Sequence, residues 1–114
     1  ILEADRESLR MVIEYPALNK RTNLTEEEEI RLKAYLIHFL RTREHHWLQY
    51  KNGVLDDVTW SKYRDVLVPV IFSSKFGRAF WASPLGGAQV VPDLVKHINE
   101  WIQGLDVQDS DSML

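Results

Sequence analysis

The sequence predicts an all-α fold, a compact bundle of four to five helices around one long helix. Three observations carry that expectation. Over residues 26–52 the apolar side chains Leu32, Leu36, Ile37, Phe39, Leu40, Trp47, Leu48 and Tyr50 fall on one arc of a helical wheel. Thr25 followed by Glu28 is a capping box that starts this segment, and Gly53 is the natural residue to stop it. Proline and glycine then mark the remaining boundaries.

A first helix is expected from about Glu3 to Glu14, with Leu2, Leu9, Val12 and Ile13 on its inner stripe. Pro16 ends it, because the residue before a proline is pushed out of the α region. The long helix follows, about 40 Å at 1.5 Å per residue, with Glu26 to Glu29 suited to the positive end of its dipole. Leu24 is placed to pack against Ile30. Asp56 or Asp57 caps a third helix with the stripe Trp60, Tyr63, Leu67, Val70 and Ile71, kinked or shortened by Pro69. Ser73 or Ser74 caps a short helix, Lys75–Ala82, with Phe76, Ala79 and Phe80 inward. Residues 83–87 read as a loop. Pro92 suits the first position of a last helix carrying Leu94, Val95, Ile98, Trp101 and Ile102, which Gly104 is expected to stop. The domain is thus placed at residues 1–104, with 105–114 as an acidic flexible tail.

Composition narrows the function classes. A chain of 114 residues with 45% hydrophobic and 27% charged residues is a single ordinary globular domain. It has no cysteine, so disulfides and thiolate zinc sites are excluded. The net charge of −3 is matched by Asp106, Asp109 and Asp111 alone, leaving the rest formally neutral. Such a body lacks the concentrated basic footprint of a nucleic-acid binder. The longest apolar run, Val66–Phe72, is broken by Pro69 and far short of the ~18–20 residues that span a bilayer.

The residue that stands out is Glu44. It falls inside the apolar arc, between Leu40 and Ile37, and a carboxylate there needs a partner, a shifted pKa or a ligand. Arg78 is the expected partner, with Arg64 nearer the edge of its helix, because a guanidinium meets a carboxylate with two parallel hydrogen bonds. The favoured reading is a structural ion pair that docks the short aromatic helix. A ligand site bordered by Glu44, Arg78, Arg64, Tyr63, Trp81 and Trp47 is the other.

Other chemistry has weaker support. His38 and His45 share a polar face but stand about 10 Å apart along the helix, too far to ligate one ion, and His97 could join only through packing. No metal or cofactor is therefore expected. Ser73, Ser74 and Ser83 lie in no nucleophile elbow, and Gly86–Gly87 follows no strand. Trp47, Trp60, Trp81 and Trp101 are expected in the core with their indole N–H groups near its rim, the alternative being an apolar groove for a lipid-like ligand or partner helix.

One stretch carries a resemblance. Glu44, Trp47, Leu48, Gln49 and Tyr50 lead into Gly53, Leu55, Asp56 and Asp57, then Trp60, Tyr63 and Arg64, and later Gly77, Arg78, Phe80 and Trp81. With Glu14–Tyr15–Pro16 and Pro92, this pattern resembles a widespread group of uncharacterised bacterial proteins. Their members have an N-terminal membrane helix followed by a small helical domain. Here Val91 stands where that group more usually has a serine cap, and no membrane helix is present. The resemblance implies an all-α domain on the cytoplasmic face of the inner membrane, tethered by a missing N-terminal helix, with this chain itself soluble. It implies no activity. The expected function is a non-enzymatic interaction or regulatory domain with a protein partner or small ligand. The alternative is a sensor of a small or lipid-like molecule at Glu44, Arg78 and Trp81.

Overall fold

The computed structural model describes Glu14, Tyr15, Leu18 and residues 23–112, with side chains as far as Leu105. The expected first helix lies outside the described residues, apart from Glu14 and Tyr15, which are helical. Among the described residues the fold is all-α, with no strand.

Helix α1, Glu26–Lys51, starts as its sequence dictates. The Glu28 N–H donates to Thr25 Oγ1 at 3.1 Å, and the Thr25 N–H donates back to Glu28 Oε1 at 3.0 Å. Two groups that the helix start leaves unpaired are satisfied reciprocally. The helix ends in a Schellman motif: Val54 N–H reaches Gln49 O at 2.8 Å and Gly53 N–H reaches Tyr50 O at 3.1 Å. Gly53 takes φ +79°, the left-handed conformation that this ending requires and that side chains disfavour. Leu32, Leu36, Phe39, Leu40 and Trp47 are buried, and Ile37 and Tyr50 pack partly against them. Two apolar positions face out instead, Leu48 on the arc and Ile30, the expected companion of Leu24.

Helix α2, Asp57–Asp65, is capped by Asp56, whose Oδ1 accepts the Thr59 N–H at 2.7 Å. Pro69 then acts as expected. Its ring clashes with the carbonyl four residues back, so the α ladder stops at Asp65. The chain continues as a wider π-helical turn, Val68–Phe72, that still buries Ile71, just after the buried Leu67. Ser73 Oγ donates to the Pro69 carbonyl at 2.8 Å.

Helix α3, Lys75–Ala82, begins at Ser74, which accepts the Gly77 N–H at 2.9 Å. Phe80 points inward, whereas Ala79, expected beside it, is exposed. Gly77 is required by contact: a Cβ there would lie 1.9 Å from the Ile71 carbonyl oxygen. The π-turn backbone therefore packs directly on the start of α3.

A loop with a 3₁₀ turn, Gly87–Gln89, leads to helix α4, Pro92–Ser112. Leu94 and Ile98 are fully buried. Gly104 does not stop this helix, and the segment expected as a tail is helical to Ser112. An exposed glycine costs a helix only about 1 kcal/mol relative to alanine, too little to end it without a proline or a left-handed turn.

Candidate functional site

Glu44 does not pair with Arg78. Its Oε2 accepts the Val91 N–H at 2.9 Å, and its Oε1 accepts from Arg41 Nη1 at 3.2 Å. The same Arg41 nitrogen lies 3.2 Å from the Gln89 carbonyl. Val91 immediately precedes α4, and Pro92 has no N–H, so the first turn of α4 offers few donors of its own. Glu44 supplies an acceptor there, where the helix dipole also favours negative charge. Nor is this a buried pair: the side chain of Glu44 is 15% exposed and that of Arg41 is 53% exposed.

The other expected site residues are dispersed. Arg78 is exposed, and its Nη1 donates to the Phe72 carbonyl at 3.0 Å, tying α3 to the end of the π-turn. Arg64 bonds to its neighbour Asp65 at 3.2 Å and lays its guanidinium over the Trp101 ring at 4.5 Å, joining α2 to α4. Tyr63 stacks on His46, with ring centroids 3.7 Å apart and planes at 4°. Trp47 is tied to the same helix start as Glu44, because its partner Asp93 is two residues beyond Val91.

The tryptophans reveal an order that sequence reasoning missed. From α1, Trp47 Nε1 donates to Asp93 Oδ2 at 3.2 Å. From α2, Trp60 Nε1 donates to His97 Nε2 at 3.4 Å. From α3, Trp81 Nε1 donates to Asn99 Oδ1 at 3.0 Å. Helices α1, α2 and α3 thus each give one indole N–H to α4. Trp47 and Trp60 are buried, and Trp81 and Trp101 partly so. A large apolar ring is driven inward while its single donor must find an acceptor, and α4 provides one each time. Asp93, His97 and Asn99 stand among many polar residues of α4, and nothing local in the sequence marks them as the indoles' partners.

Around this lies an aromatic joint. Trp47 contacts Trp60 at 5.2 Å, Tyr50 at 5.8 Å and His97 at 4.9 Å. Tyr50 stacks on Trp60 at 5.8 Å and donates its hydroxyl to Asp57 at 2.6 Å, so its pKa is raised by that bond. Along α1, the i+4 row Arg31, Tyr35, Phe39, Arg43, Trp47, Lys51 places Arg43 over Phe39 at 4.5 Å and Lys51 over Trp47 at 5.1 Å. Arg43 donates to His46 Nδ1 at 3.1 Å, while its Nε is buried without a hydrogen bond among the described residues. Burial lowers its pKa, with Tyr63 and Tyr35 opposing.

The candidate nucleophiles and ligands are engaged in local structure. Ser73, Ser74 and Ser83 bond to Pro69, Gly77 and Phe80 backbone groups respectively. Among the described residues no three His, Asp or Glu side chains gather as a metal-ligand group. No described helix is long and apolar enough to cross a membrane.

A cavity of about 240 Å³ opens between α1 and the loop before α4, lined by Ile37, Leu40, Arg41, Leu85, Gly86, Gln89 and Val90. Glu44 borders it only through Arg41, and neither Arg78 nor Trp81 lines it. Comparison with family models, with curated proteins and with solved structures finds no match to this chain.

Proposed function

We propose that this chain is a non-enzymatic helical interaction domain. One observation carries the reading: polar side chains that could do chemistry are engaged in holding helices together, Glu44 and His97 from half-buried positions and Asp93 and Asn99 from exposed ones. Glu44, Asp93, His97 and Asn99 accept from the protein's own N–H groups, and the serines cap or close turns.

The contact surface is the groove beside Arg41. Its volume of about 240 Å³ is below the ~300–1,000 Å³ of small-molecule sites, which favours one large apolar side chain of a partner over a metabolite. Leu85 on its wall is 49% exposed, and Arg41 on its wall uses one nitrogen for both of its bonds. A partner segment with an apolar residue next to a carboxylate complements that pattern. On the resemblance of its motifs to membrane-tethered bacterial proteins, we propose further that the domain works at the cytoplasmic face of the inner membrane, tethered through an N-terminal helix.

Photo-crosslinking of the native protein in its host tests the interface. A crosslinker at Leu85 is expected to give a discrete adduct that Arg41→Glu suppresses, and one at exposed Glu27 is expected to give none. Equal labelling at both positions would overturn the assignment. So would stabilisation by a metabolite that Leu85→Trp abolishes, which would restore the sensor reading. Fractionation tests the tether separately: release by detergent but not by salt is the expected result.

A further inference from the structure

Helix α2 is gripped from two sides by histidines. His46 of α1 lies flat on Tyr63, at 3.7 Å and 4°. His97 of α4 accepts from Trp60, one turn earlier on α2, and stacks on Trp47 at 4.9 Å and 29°. Each ring also has one nitrogen against a group that can only donate: the guanidinium of Arg43, on the same helix α1, at 3.1 Å from His46 Nδ1, and the Trp60 indole of α2 at 3.4 Å from His97 Nε2. These contacts fit neutral rings, with the proton on Nε2 of His46 and on Nδ1 of His97.

We propose that His46 and His97 form an acid-released clasp, so that protonating them frees α2 from α1 and α4. An added proton would set N–H against N–H between α4 and α2 at His97–Trp60, and within α1 at His46–Arg43, where it would disturb the ring that lies flat on Tyr63 of α2. The surroundings reinforce this. His46 faces Arg43 and His45 from its own helix and Tyr63 from α2. His97 faces Lys51 from α1, Arg64 from α2 and Glu100 from its own helix, with Asp93 one turn earlier on α4 held by Trp47. An imidazolium would gain attraction from the face of Tyr63, but Arg43 already lies 5.5 Å over that ring, and two like charges would meet at His46 Nδ1.

Burial, then Arg43 and His45, holds the pKa of His46 below the usual histidine range. Burial, then Arg64, does the same for His97, with Lys51 adding and Glu100 opposing. A folded pKa below the unfolded one means that the stabilisation is complete above the unfolded value of about 6.5. It is lost as pH falls through the folded values. The inference does not rest on the proposed interaction groove.

Thermal melts at pH 7.5 and 5.0 read the effect. Wild-type protein is expected to lose Tm on acidification, and His46→Gln and His97→Gln are each expected to remove on the order of 5 °C of that loss. His38→Gln, an exposed histidine, is expected to leave it unchanged. A double variant with the full wild-type loss would overturn the clasp. Histidine ring-proton NMR on wild-type protein needs no variant to fold. Two resonances titrating below pH 6.5 support the proposal, and four titrating at or above it would refute it.

Discussion

The two long helices begin in different ways. Helix α1 carries its own cap: Thr25 and Glu28 satisfy each other's backbone N–H groups three residues apart. Helix α4 has Val91 and Leu94 at the equivalent positions, and neither side chain can accept a hydrogen bond. The acceptor for the Val91 N–H comes instead from Glu44, 47 residues earlier. The bond that Glu28 makes locally, Glu44 makes across the fold. The difference explains why a carboxylate sits within the apolar arc of α1: it faces the start of another helix. It also separates a helix that sets its own boundary from one whose start depends on tertiary packing.

Changes at these ends should differ in size and sign, and urea unfolding measures each. Glu44→Ala is expected to cost the most, about 1–3 kcal/mol, because it leaves the part-buried Val91 N–H without its acceptor. Glu44→Gln keeps an acceptor, so its loss should be well under that of alanine. Gly53→Ala is expected to cost about 1–2 kcal/mol, since φ +79° disfavours any side chain. Thr25→Ala should cost about 1 kcal/mol, the usual value of a local cap. Gly104→Ala has the opposite sign. That glycine lies within α4 with open space around it, so alanine should stabilise by about 0.5–1 kcal/mol. Arg78→Ala should be the smallest, at most about 0.5 kcal/mol, because its one hydrogen bond is exposed.

What the sequence made legible follows the same division. The all-α class, the span of α1, the caps at Thr25, Asp56 and Ser74, and the Pro92 start rest on neighbours within a few residues. A helical wheel says that Glu44 faces inward without saying which element it meets, and Arg78 was an inference from chemistry alone. The structure instead uses a backbone donor, which no side-chain pattern announces. The indole bonds from Trp47, Trp60 and Trp81 to α4 were hidden for the same reason, as each joins residues 18 to 46 positions apart. Gly104 misled in another way. Glycine ends a helix when the backbone turns left-handed, as at Gly53, and not by its presence alone.

The histidine clasp adds a contrast between the two joints of α1. At Glu44 the acceptor is a carboxylate beside a helix N-terminus, a place that favours its charge. At His46 the acceptor works only while neutral. Mild acid should therefore loosen α2 before it loosens the start of α4, an order that residue-resolved hydrogen exchange at pH 5.5 can check.

The most direct measurement of the Glu44 tie is exchange protection of the Val91 amide. The amide is expected to be protected in wild-type protein, to lose protection in Glu44→Ala and to keep it in Arg78→Ala. A Val91 amide that exchanges equally fast with and without Glu44, or that loses protection only when Arg78 is removed, would contradict this account.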